Sequence, residues 1–270
     1  MTVIRLFLAL ATVCGCLLAG LSTSATNKSP SPDELFEIFT TLALGSEAHL
    51  NPDTDAHRYI LKWVEPLRVR IYAADNDSIS GIKESQKYFD VFGLILEDLK
   101  IEYSAVDDFD SNFTYFYYSN KKSFLKLATT FEETKNGETR RTLVDAMREV
   151  AERDEFDDGL GCLVLVNHPS DRASVGQITN AIIVLPTFGK NSVAWNCFLQ
   201  ESLQALGVLN GYLQGEAPEP TLFEDNSILI EPSSMDLEIL QILYNPRVRP
   251  GMTRGELRQI WPELVSEVRY

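Results

Sequence analysis

Apolar and polar positions repeat with two periods along this chain, and each period predicts one kind of element. Leu35, Ile38, Phe39 and Leu42 recur at helical spacing, so Pro32 to Leu44 is expected to be a helix, with Asp33 and Glu34 at its positive end. Leu67-Arg68-Val69-Arg70-Ile71-Tyr72-Ala73 alternates with period two, the pattern of a strand with one wet face. Tyr88, Val91, Phe92, Ile95 and Leu99 share one side of a long amphipathic helix predicted over Ile82 to Leu99. Phe113 to Tyr118 is a short aromatic strand, read as having mixed burial because no basic residues surround it to make a stacking site. Lys121 to Asp158 is charge-dense and helical, in two pieces parted at Asn136-Gly137. Cys162 to Val166 and Asn180 to Leu185 are apolar strands, the second stopped by Pro186. Near the C-terminus Ser233 is a helix N-cap with Asp236 three residues on. Thr253-Arg254-Gly255-Glu256 is a capping box whose helix is expected to end near Pro262.

The segment from Cys197 to Asn210, read as a helix, carries two stripes. Leu199, Leu203 and Leu206 form the apolar one, while Gln200, Gln204 and Gly207 form a polar neighbour suited to the floor of a cleft. Gly207 is placed to end the helix in the left-handed conformation.

Composition then narrows the picture. The chain has 270 residues, 44% of them apolar, enough for one sizeable core. A net charge of −15 opposes binding to nucleic acid or anionic membrane, because like charges repel at long range. Residues 1–25 read as a signal peptide: Arg5 is their one charge, Leu6 to Leu21 is apolar or small, and Ser22-Thr23-Ser24-Ala25 offers the cleavage site. The alternatives are a lipid anchor at Cys16, in Val13-Cys14-Gly15-Cys16, and an uncleaved anchor. Residues 26–34 then form a flexible lead-in, 35–245 the α+β domain and 246–270 a C-terminal helical extension. Cleavage leaves Cys162 and Cys197, an even pair that in an exported chain favours a disulfide across a loop of roughly 35 residues.

Glu201, Ala205, Leu206 and Gly207 stand where the metzincin zinc peptidases have Glu, Ala, Leu and Gly in H-E-x-x-H-x-x-G-x-x-H, so the segment resembles their active-site helix. The three ligand positions read Gln200, Gln204 and Asn210. The element order is also similar to the metzincin order, with Ser227-Ile228-Leu229 at the place of the Met-turn. Glu231 to Tyr244 looks like the terminal helix, matching at Asp236 and Leu243-Tyr244. The resemblance implies a three-layer α+β domain of zincin-like shape, with a mixed sheet, a long first helix, a central cleft helix and a C-terminal helix. A second resemblance covers roughly residues 35–258. Cys197, the Glu201-x-x-Gln204-Ala205-Leu206-Gly207 run and the Leu243-to-Met252 tail resemble a family of exported proteobacterial proteins of unknown function, some labelled lipoproteins. That resemblance implies export and supplies no activity.

Amide oxygens are far poorer zinc donors than imidazole nitrogens, so the reading is of no cofactor and no metal. His49 and His57 read as surface-loop residues and His168 as a strand-end residue. Glu201 would be the general base if any chemistry survived. Ser202 and Ser227 lack any nucleophile signature, and nothing ties Asp157-Asp158 to the helix. The expectation is a secreted or periplasmic, non-catalytic binding or envelope-associated protein, with a protein or polar ligand held by Gln200, Gln204, Asn210 and Ser227. The alternative is a metallohydrolase with atypical ligands, such as His168, that uses Glu201 as base.

Overall fold

A computed structural model describes residues 29–44, 59–107, 110–133, 138–152, 161–168, 174–187, 191–209, 221–223, 229 and 231–269. The expected signal peptide, the lipidation site at Cys16, His49, His57, Asn136-Gly137, Asp157-Asp158, Asn210 and Ser227 lie outside the described residues.

The described chain is α+β. It runs α1 (Pro32–Leu44), β1 (Lys62–Trp63), β2 (Leu67–Ala73), α2 (Asn76–Glu84), α3 (Gln86–Asp98), β3 (Tyr103–Ala105), β4 (Phe113–Tyr118), α4 (Lys121–Glu133) and α5 (Glu138–Glu152). Then come β5 (Leu163–Asn167), β6 (Gln177–Ile178), β7 (Asn180–Pro186), α6 (Asn191–Gln204), α7 (Ser234–Tyr244) and α8 (Arg254–Arg269). Five strands form a mixed sheet in the order β3-β2-β4-β7-β5, parallel throughout except for β5, which runs antiparallel to β7 at one edge. β1 and β6 form a separate parallel pair.

Side-chain alternation sends the two faces of the sheet into two cores. Phe113, Tyr115, Tyr117 and Ile183 point to the larger core with residues of α1, α3, α6, α7 and α8, while Tyr118 and Val184 join Phe124, Val144 and Met147 of α4 and α5. The aromatic strand β4 is therefore central and covered on both sides, and Phe116 alone of its six residues stays half-buried. The expected mixed burial gives way because β4 lies between β2 and β7, a position its own residues do not encode.

The long helix expected over Ile82 to Leu99 is instead two, jointed at Ser85. Asp75 starts the first by accepting from the Ser78 backbone N–H at 2.8 Å and the Ser78 hydroxyl at 2.7 Å. Burial opposes ionisation of Asp75, but hydrogen bonds from Ser78, Ser119 and Ser123 outweigh it and hold the carboxyl at about 2. Ser85 both closes α2 and opens α3, and its hydroxyl turns back to the Gly81 carbonyl at 2.9 Å. Local hydroxyl-to-backbone competition of this kind breaks a ladder that hydrophobic spacing alone would continue.

The last helix does not end at Pro262; it runs on to Arg269. Leu257, Trp261, Leu264 and Val265 are all buried, and Trp261 packs edge-on to Phe36 of α1 with ring centroids 5.0 Å apart. The Trp261 indole also donates to the Pro32 carbonyl at 2.7 Å. Burial of these side chains outweighs the ~3 kcal/mol penalty of an internal proline. Within the expected C-terminal extension, α8 thus packs back onto α1 and α7.

Candidate functional site

The helix α6 is the candidate. Its apolar stripe is as expected at Leu199 and Leu203, both fully buried, while Leu206, equally buried, lies past the end of the helix. Phe198 stacks on Tyr115 of β4, ring centroids 5.3 Å apart and planes 11° from parallel. Ser202 is buried beside them: its hydroxyl donates to the Phe198 carbonyl at 2.5 Å and meets the Tyr115 hydroxyl at 2.9 Å. Burial pushes the Tyr115 hydroxyl well above its ordinary range. Ser202 is thereby committed to the core.

Cys197 begins the other face of α6, followed at helical spacing by Gln200, Glu201 and Gln204. The Cys162–Cys197 disulfide is present, with Cα atoms 5.9 Å apart. It ties α6 to the start of β5, the antiparallel edge strand. Gln200 is half-buried, whereas Glu201 is 8% exposed and Gln204 only 4%. The structure therefore brings Gln200, Glu201 and Gln204 together on one face, two of them nearly closed off from solvent. His168 follows the end of β5 and is half-buried.

The helix stops at Gln204, six residues short of Asn210, and the chain turns through Ala205 to Gly207. Gly207 takes φ +113, and a Cβ there would lie 2.1 Å from the Leu61 carbonyl oxygen. No other residue meets both demands. Two side chains satisfy the carbonyls exposed at the helix end: the Trp63 indole donates to Ala205 and the Tyr244 hydroxyl to Leu206, both at 2.8 Å. Leu229, at the expected Met-turn position, packs against the same core, and its carbonyl accepts from the Asn196 side chain at 3.2 Å.

Lys62, which the sequence reading did not single out, belongs to this framework. Its ammonium donates to the carbonyls of Asn245 at 3.1 Å and Val248 at 2.9 Å, just past the end of α7, and lies 5.2 Å from the Tyr244 ring centre. The available signal was a lone charge inside the apolar run Ile60-Leu61-Lys62-Trp63-Val64. The same tail closes against the chain just before β1: Ile60 donates to Met252 and Gly251 to Ile60, each at 2.9 Å. The Leu243-to-Met252 segment and the end of α6 are thus joined through Lys62, Trp63 and Tyr244.

Burial lowers the Lys62 ammonium from 10.5 to about 8. A lysine depressed in this way holds its proton less tightly folded than unfolded. Between pH 8 and 10.5 the unfolded chain binds more protons, so stability rises with pH across that window. From pH 7 to 9.5 the expected gain is about 2 kcal/mol from this group. Urea unfolding of wild type and Lys62→Met over that range checks it. The wild-type midpoint should climb relative to the variant's, and parallel curves would refute the assignment.

The metzincin pattern implies zinc at positions that here hold Gln200, Gln204 and Asn210. Neutral amide oxygens do not fit zinc, and among the described residues no group of three or more His, Cys, Asp or Glu is placed to hold a metal ion. Fold and site together define an α+β domain with a mixed sheet and a disulfide-tethered helix bearing a Gln-Glu-Gln face. The chain belongs to the family described as protein of unknown function (DUF2927), which matches residues 32–263. No curated protein and no solved structure matches it. No described helix is long and apolar enough to cross a membrane.

Proposed function

We propose that this protein is an exported, zincin-like domain without zinc that binds a protein or polar ligand along α6 rather than cleaving it. The observation that carries the reading is the face of Gln200, Glu201 and Gln204, held against β5 by the disulfide and furnished with amides where a metallopeptidase needs imidazoles. Amide pairs and one carboxylate supply both donors and acceptors, the equipment for recognising a polar group. Without a metal there is no acidified water for Glu201 to deprotonate, so the carboxylate serves as an acceptor. The order of strand, helices, strands, α6 and α7 supports the zincin-like shape, and the disulfide supports an oxidising compartment, secreted or periplasmic, with a lipid anchor at Cys16 as the envelope-bound variant.

Metal analysis of the purified mature protein by mass spectrometry, with a peptidase screen of wild type against Glu201→Gln, tests this. The expected result is no stoichiometric zinc and equal background hydrolysis by both proteins. Stoichiometric zinc lost on Gln200→Ala or Gln204→Ala, or hydrolysis abolished by Glu201→Gln, would replace the binding reading with a metallohydrolase that uses Glu201 as base.

A further inference from the structure

A groove of about 610 Å³ opens on the side of Lys62 and Tyr244, between the β1–β2 connection, the end of α3 and the end of α7. It is separate from the Gln-Glu-Gln face. Lys62 and Trp63, both buried, contribute to its lining with Tyr244, and Gln241 and Asn245 add amides.

Three features of Lys62 point to a ligand. An ammonium has three N–H donors, and two are used on the carbonyls of Asn245 and Val248. No carboxylate pairs with Lys62 among the described residues, so its buried charge lacks a counter-ion, an expensive arrangement for a folded protein. The groove at which it lies is large enough for a small molecule or the end of a chain.

The charges around the groove narrow the choice. Glu65, Asp98 and Glu102 stand exposed on the lining against Lys100. Asp98 already accepts from Gln241 at 3.0 Å, and Glu65 lies 4.0 Å from Arg68. Three carboxylates against one lysine repel phosphates and other polyanions at the mouth, while a ligand whose body is cationic is tolerated there.

We propose that this groove binds a carboxylate carried on a cationic body, an amino or guanidino acid or a chain end of that chemistry, with Lys62 supplying the third hydrogen bond and the counter-charge. The charged ammonium is the competent form. Its lowered pKa therefore makes binding weaken as pH rises through about 8. The other titratable groups on the lining are Glu65, Asp98, Lys100 and Glu102, together with Tyr244, whose hydroxyl is pushed up by burial.

Calorimetry of the full mature chain with 4-guanidinobutyrate, whose two charges are constant over this range, is the test. Binding is expected at pH 7, about tenfold weaker at pH 9, with proton uptake at the higher pH. The primary amide of the same compound should not bind. A short peptide ending in free arginine, compared with its C-amidated form, separates the sources: binding by the peptide assigns a chain end, and binding by 4-guanidinobutyrate alone assigns a small molecule. Lys62→Met should abolish binding, and because that variant loses two hydrogen bonds, the wild-type pH dependence is the independent check. No binding by either carboxylate, equal binding of acid and amide, or affinity unchanged from pH 7 to 9 would overturn the proposal.

Discussion

Replacing Asp236 with alanine is expected to destabilise the protein by about 4 kcal/mol, lowering Tm by roughly 10 °C. The carboxylate is fully buried and accepts from the Thr221 hydroxyl, from the Leu222 backbone N–H at 3.1 Å and from the Ser233 backbone N–H at 2.7 Å. Burial pushes this carboxyl up from its ordinary range, and the donors pull it back. Thr221, Leu222 and Phe223 are themselves fully buried, so removing the acceptor strands two of their donors away from water as well as opening the capping box of α7. Each stranded donor costs roughly 1–3 kcal/mol. Ser233→Ala removes only the reciprocal half of the box, at about 1 kcal/mol. Urea unfolding of both variants distinguishes the roles: a cost for Asp236→Ala no greater than for Ser233→Ala would mean that the carboxylate is an ordinary cap and does not hold the 221–223 segment.

The second large effect belongs to the disulfide. Cys162 and Cys197 are 35 residues apart, and in the chain-entropy model opening that loop costs roughly 4 kcal/mol through the unfolded state. The structural consequence is local. β5 is an edge strand that pairs with β7 alone, and the bond to α6 is a covalent tether at its start that a variant without the two cysteines lacks. The Cys162→Ser/Cys197→Ser protein should lose that stability and show faster amide exchange across Leu163–Asn167, with β4 still protected. If reduced and oxidised wild type unfold at the same urea concentration, the bond contributes nothing to stability.

Several elements were legible because a short stretch carries its own instructions. Pro32 to Leu44 repeats at helical spacing, Leu67 to Ala73 alternates, and Phe113 to Tyr118 is rich in β-formers; all three match the structure to the residue. The Ser233 cap and the left-handed Gly207 were legible for the same reason, since a hydroxyl or a missing Cβ acts within one turn. The pairing of Cys162 with Cys197 needed only the count of cysteines left after the expected cleavage. At the candidate site, the grouping of Gln200, Glu201 and Gln204 followed from helical periodicity, but their burial did not.

What the sequence determined by itself is therefore local: element types, caps, and residues that share a helix face, all governed by interactions within a few positions. Tertiary structure alone decided the rest. The order β3-β2-β4-β7-β5 buried both faces of the aromatic strand. Packing on α1 carried α8 past Pro262. A fold bringing residue 62 beside residues 245 and 248 turned an inconspicuous lysine into a buried cation at the wall of a groove. These outcomes share one physical cause: desolvation depends on everything that covers a residue, and most of that cover comes from distant parts of the chain.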